Sequence, residues 1–244
     1  MHMTFWDHAN PTAFMRLSGA VLPWVSGAAG ICLCTGLTWG LMLTPPAQGF
    51  GASVKVIYVH VPAAMMAINL WLMMVLASGL WFVRRHHVSA LAAKAAAPVG
   101  LTMTLIALVT GALWGEPVWG TWWAWDPRLT AFLILFLSYL GYVALWRAVP
   151  HTEAAADLAA LLCLVGSVFA LVSRYAVLFW AQGLHQGATL SLDRAEHIAN
   201  VYWVPLVVTI AGFVALSVAL VLARTRTEIR RRRIDFLQER ARRA

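Results

Sequence analysis

Two of the eight histidines in this 244-residue chain stand in settings that suggest chemistry. His60 lies in Tyr58-Val59-His60-Val61-Pro62, and His185 lies in Gly183-Leu184-His185-Gln186-Gly187, where the flanking glycines let the backbone turn sharply. Between them runs Trp114-Gly115-Glu116-Pro117-Val118-Trp119-Gly120-Thr121-Trp122-Trp123-Ala124-Trp125-Asp126-Pro127-Arg128, which holds five of the thirteen tryptophans. Neutral imidazole binds transition metals, and clustered indoles form a flat, apolar, polarizable surface. Two imidazoles can occupy both axial positions of a heme iron. Indoles can then cover the porphyrin, and Lys55, Arg128 or Arg194 can pair with its propionates. Zinc is less apt, because it wants three or four ligands at bonding distance.

Each of these residues also has a plainer use. An interfacial aromatic belt accounts for Trp24, Trp39, Trp81, Trp146 and Trp180. It does not account for five indoles in one segment, because a belt spreads its anchors over many span ends. A segment this rich in indole either docks a partner or binds a large planar ligand. Asp126-Pro127 suits a helix start, with Asp as N-cap and Pro at the first helical position. Arg128 then falls in the first turn, where the helix dipole disfavours a cation, which points to an anionic partner.

The elements that must position these groups follow from composition. Hydrophobic residues make up 61% of the chain and charged residues 11%, against about 25% charged in ordinary soluble domains. That excludes a soluble globular protein and a disordered one. Six stretches approach the about 20 apolar residues that a membrane helix needs. They are Ala20–Leu43, Val61–Val83, Pro98–Leu113, Leu129–Trp146, Leu158–Trp180 and Val201–Ala223. The expected fold is all-α: one polytopic six-helix membrane domain over residues 1–244. The first apolar run exceeds the about 7–15 residues of a signal-peptide core, so it reads as an uncleaved anchor.

The net charge of +8 sets the orientation. Arg16, Arg84, Arg85, Lys94, Arg147 and the nine arginines of 224–243 fall on one side of the spans. Lys55, Arg128 and Arg194 fall on the other, and Arg174 lies within span five. Cytoplasmic loops carry the Lys/Arg excess. Both termini are therefore expected in the cytoplasm, with 224–244 as a basic tail. The loops 44–60, 114–128 and 181–200 are expected to face outward and form the site. Pro62 near a helix start places His60 at a helix cap above the membrane. The dense cluster Arg230–Arg233 has no nucleic-acid fold beside it and reads as an orientation signal that also attracts anionic lipid, or as a docking surface.

The remaining candidates carry less. His2, His8, His86, His87 and His151 fall on the cytoplasmic side without cluster spacing and read as solvated polar residues. Cys32, Cys34 and Cys163 lie within spans, form no C-x-x-C, and read as buried structural thiols. Arg174 is an intramembrane charge, functional or snorkelling, and stays outside the expected site. No histidine lies within a span. That weighs against a transmembrane electron-transfer cytochrome, and bis-His iron leaves no open position for oxygen. A membrane heme oxidoreductase, a cytochrome c heme lyase or synthase, and a permease component without a cofactor are the competing readings.

Trp119-Gly120-Thr121-Trp122-Trp123-Ala124-Trp125-Asp126-Pro127-Arg128-Leu129-Thr130 closely resembles the tryptophan-rich WWD signature of heme-handling membrane proteins in cytochrome c maturation. Tyr58-Val59-His60-Val61-Pro62-Ala63-Ala64 and Leu184-His185-Gln186-Gly187 resemble that family's two flanking histidine motifs. Asp126-Pro127 departs from it slightly, since a small non-Pro residue is expected after the Asp. Six spans without in-membrane histidine resemble the small member of the multi-component (System I) pathway. The resemblance implies a non-enzymatic role at the bacterial inner membrane, with heme b held on the periplasmic side. His60 and His185 would be the axial metal ligands. Trp119, Trp122, Trp123, Trp125 and Asp126 would form the binding loop, with Arg128 as propionate partner. Trp114 and Lys55 complete the expected cofactor-binding set. The implied partners are a periplasmic heme chaperone (protein E of the pathway) and an ABC transporter. The transporter would comprise an ATPase (protein A) and a membrane-embedded component (protein B), joined by a small membrane protein (protein D).

Overall fold

The computed structural model describes residues 10–179 and 198–243. Asn10 starts the first helix: its side chain accepts from Thr12 N–H at 2.9 Å, and Pro11 occupies the first helical position. Helix α1 runs Pro11–Thr38 and continues into a π-turn over Trp39–Leu43. A 3-10 turn, Ala52–Val56, leads into α2, Ile57–Arg84. Then come α3 (His87–Trp119), α4 (Pro127–Ala148), α5 (Thr152–Phe179) and α6 (Asn200–Arg243). All six expected spans are present as helices long and apolar enough to cross a membrane.

The connections are short where side chains terminate and restart the helices. Arg85 adopts the left-handed conformation (φ 49°) and its N–H bonds Trp81 O at 2.8 Å, ending α2. His86 then caps α3, its Nδ1 accepting from Ser89 N–H at 3.0 Å. The expectation that His86 is merely a solvated residue is corrected: it is the hinge cap between two spans. Gly120 (φ 72°) ends α3 in the same left-handed way, bonding Glu116 O at 2.9 Å.

Helix α2 packs against α3, α5 and α6; α4 packs against α5 and α3; and α1 lies mainly on α6. Lipid provides no hydrophobic drive between helices, so close approach depends on small residues. A Cβ on Gly166 would lie 2.5 Å from the Trp71 ring, and one on Gly100 would collide with the Tyr139 hydroxyl. That hydroxyl donates to Ala67 O at 2.7 Å, and Trp71 Nε1–H donates to Cys163 O at 3.2 Å. On the outside, Gly36 and Gly212 let α1 and α6 meet at Thr209 and Leu33. Cys163 is buried, whereas Cys34 of α1 is exposed, contrary to the expectation of buried thiols throughout.

Two helices outrun their apolar stretches. Helix α3 begins eleven residues before Pro98, and α6 continues through the basic segment to Arg243. At 1.5 Å per residue, 44 residues make about 66 Å, roughly twice the hydrocarbon thickness. The base of the projecting part is tied down. Lys94 Nζ meets Glu228 at 2.7 Å, Arg224 Nε donates to Ala95 O at 3.1 Å, and Arg226 donates to Ser18 Oγ at 2.9 Å. The arginines nearest the bundle therefore hold helices together, beyond the signalling role read from sequence.

Candidate functional site

The end of the bundle opposite the basic segment carries those expected site residues that lie within the described residues, and it is built in three parts. The first is the joint between α1 and α2. Lys55 Nζ donates to Leu41 O at 2.8 Å, capping the π-turn that ends α1. Tyr58, on the first turn of α2, is fully buried and lies against Gly40, where a Cβ would come within 2.6 Å of its ring. Thr44 Oγ donates to Gly40 O at 2.5 Å and completes the joint.

The second part is His60. It is not at a helix cap. The helix begins at Ile57 after a 3-10 lead-in, so His60 sits within its first turn. Pro62 falls in the second turn, inside the helix, where it forgoes the backbone hydrogen bond to Tyr58 O. The half-buried imidazole faces α3, with Nδ1 3.1 Å from Thr110 Oγ. The ring edge lies over Gly111, where a Cβ would meet Cε1 at 3.0 Å.

The third part is the indole segment. It is not all loop: Trp114 and Trp119 belong to the last turns of α3, and the connecting loop is residues 120–126. Pro117 does not break α3, which runs through it to Trp119 and ends at Gly120. Trp114 stacks on Phe50 (centroids 6.2 Å, 27° between planes) and meets Trp119 edge-on at 5.2 Å. Gly115 accommodates the Trp119 ring, a Cβ there lying 3.0 Å from it. Trp123 meets Trp125 edge-on at 5.6 Å. Thr121 Oγ donates to Trp123 O at 2.9 Å and curls the loop. Trp122 and Trp125 are exposed (58% and 78%), whereas Trp114, Trp119 and Trp123 are half-buried. The indoles therefore divide into an inner group and two outward faces.

Asp126 is buried at 6% exposure and caps α4, its Oδ1 accepting from Leu129 N–H at 2.6 Å. Its capping role, expected from Asp126-Pro127, is present. Arg128 is half-buried, with the Asp126 carboxylate and Arg174 of α5 both acting on its charge. Arg174 thus stands beside the site from which sequence reasoning left it out. Its separation in sequence from Arg128 hid that relation, and only the packing of α4 on α5 reveals it. Thr110 and Gly111 were also missed. Neither type signals chemistry, and they matter only because α2 and α3 pack there. His185, Arg194, His197 and Trp180 lie outside the described residues.

The donor set suits a planar dicarboxylate such as heme. One imidazole is held in place, and an inner indole group lies nearby. Trp123 Nε1–H is buried without an acceptor among the described residues.

Residues 4–240 match the family described as heme exporter protein C. The chain belongs to that family. Heme exporter protein C of Rhodobacter capsulatus is 66% identical over 242 residues, which cover 99% of this chain and 100% of the relative. The Paracoccus denitrificans protein of that name is 65% identical over the same lengths. That of Escherichia coli K12 is 38% identical over 232 residues, 94% of this chain and 92% of its own. As a member of the heme exporter protein C family with six spans, the chain is a multi-pass protein of the bacterial inner membrane.

Proposed function

We propose that this protein handles heme in cytochrome c maturation as a binding and transfer component, not as an enzyme. Heme b is its cargo, held at the His60 end of the bundle. The Lys/Arg asymmetry orients that end toward the periplasm and puts both termini in the cytoplasm. His60 and His185 are the axial ligands. The inner indoles of Trp114, Trp119 and Trp123 wall the cargo, while Trp122 and Trp125 face the recipient. Arg128, with Lys55, supplies counter-charge to the propionates.

The observation that carries this reading is the placement of His60. Its imidazole is fixed between α2 and α3 at the end that bears the indole segment. A site at the rim of the bundle, with two exposed indoles, can be reached by a partner, whereas one buried between helices cannot. The recipient is a periplasmic heme chaperone, protein E of the pathway. The surrounding assembly is an ABC transporter, formed by the ATPase (protein A) and its membrane-embedded component (protein B), together with the small membrane protein D.

A transfer assay tests the reading. Heme-loaded protein in detergent is mixed with the purified chaperone, and heme on the chaperone is measured. Substituting Trp119, Trp123 and Asp126 together should impair transfer while membrane insertion is retained. Undiminished transfer would overturn the assignment of this segment.

A further inference from the structure

We propose that Thr110 is the positioning residue for His60, fixing the imidazole in the tautomer that offers Nε2 to iron; this rests on the reading of His60 as a heme ligand. The direction of the hydrogen bond decides the tautomer. Thr110 Oγ lies 2.6 Å from Ile106 O, a carbonyl that can only accept. The hydroxyl proton is therefore committed to the backbone, as is usual for threonine within a helix. Its oxygen can then only accept from His60, at 3.1 Å from Nδ1. A neutral imidazole has a single N–H. With that proton on Nδ1, the lone pair resides on Nε2.

The contact also sets the direction of the ring. Thr110 engages Nδ1, and the adjacent Gly111 leaves room for Cε1, since a Cβ there would lie 3.0 Å away. The Nδ1–Cε1 edge is thus seated on α3 by two consecutive residues. Metal-bound histidines are commonly held this way, through a hydrogen bond from the nitrogen that does not bind the metal, and losing it typically costs about 10–100-fold in affinity. A hydroxyl acceptor is a weaker partner than a carboxylate, so it orients the ring without making it strongly basic. That suits a ligand that must let go.

The test uses the full-length protein in detergent and three variants. Heme affinity is measured by titration, and the ferric form is examined by electron paramagnetic resonance. Thr110→Val, which keeps the shape and removes the acceptor, should weaken heme binding about 10–100-fold and shift the low-spin g-values. Thr110→Ser, which keeps the hydroxyl, should restore both. A merely structural Thr110 would leave the g-values of the bound fraction unchanged. Unchanged affinity and g-values in Thr110→Val, with the bis-histidine spectrum lost in His60→Ala, would overturn this inference alone. Intact binding and spectrum in His60→Ala would overturn the ligand reading and this inference with it.

Discussion

The ring of Tyr58 occupies the space that a side chain on Gly40 would need: a Cβ there would lie 2.6 Å from it. This contact joins the end of α1 to the start of α2, two residues before His60. Positions 58 and 60 point to nearly opposite sides of a helix. Tyr58 therefore faces α1 while His60 faces Thr110 on α3. The first turn of α2 is wedged between its neighbours, and the imidazole is positioned from both sides.

Gly40→Ala should consequently act at a distance. Overpacking typically costs about 1–3 kcal/mol. The displaced Tyr58 should carry the turn with it and reduce heme occupancy. Gly27→Ala is the control, because nothing lies within 4 Å of a Cβ there. Thermal unfolding and heme content, measured together, check this. Equal behaviour of the two variants would remove the wedge.

Trp123→Phe separates the indole ring from its N–H. That N–H is buried without an acceptor among the described residues, so losing it should not lower the stability of the heme-free protein. A hydrogen bond to a charged group contributes about 1.5–3 kcal/mol. Heme affinity should therefore fall about tenfold or more. Titration of the variant, with unfolding of the heme-free form, gives both values.

At the other end, Asp157 accepts from Trp81 Nε1–H at 2.8 Å and pairs with Arg85. Both ionic side chains are well exposed, so the pair itself adds little. The indole is buried at 2% exposure, and stranding its N–H costs about 1–3 kcal/mol. Asp157→Ala should be destabilising by that amount and Asp157→Asn much less, with heme binding unaffected in both. Denaturation of the two variants distinguishes the hydrogen bond from the charge.

The His86 cap makes the α2–α3 hinge sensitive to pH. Its Nδ1 must be unprotonated to accept from Ser89. Burial, and then the neighbouring His87, lower the His86 pKa below the ordinary 6.5. The folded state thus binds this proton less tightly than the unfolded state. The stability contributed is complete above pH about 6.5 and is lost as pH falls through the lowered folded value. His86→Asn, a cap that does not titrate, should remove this component from the pH dependence of unfolding. Identical pH profiles would exclude it.

The six spans were readable in the sequence because apolar length is what a membrane demands. The opening of α4 was readable because Asp126-Pro127 carries its own capping chemistry. Helix ends beyond the apolar stretches were not. Trp114–Trp119 reads as part of the outer loop 114–128, yet the helix persists until Gly120 turns left-handed. His60 reads as a cap because of Pro62, whereas the 3-10 turn from Ala52 has already started the helix. The relations His60–Thr110 and Arg128–Arg174 join residues of ordinary type on separate helices, and packing alone creates them.

The most direct test of the central claim is the optical spectrum and heme content of the purified protein, with His60→Ala, His185→Ala and the double variant beside it. Ligation by both histidines predicts a six-coordinate bis-histidine spectrum in the wild type, lost in each single variant, and little retained heme when both are replaced. Full heme occupancy in the double variant would contradict it.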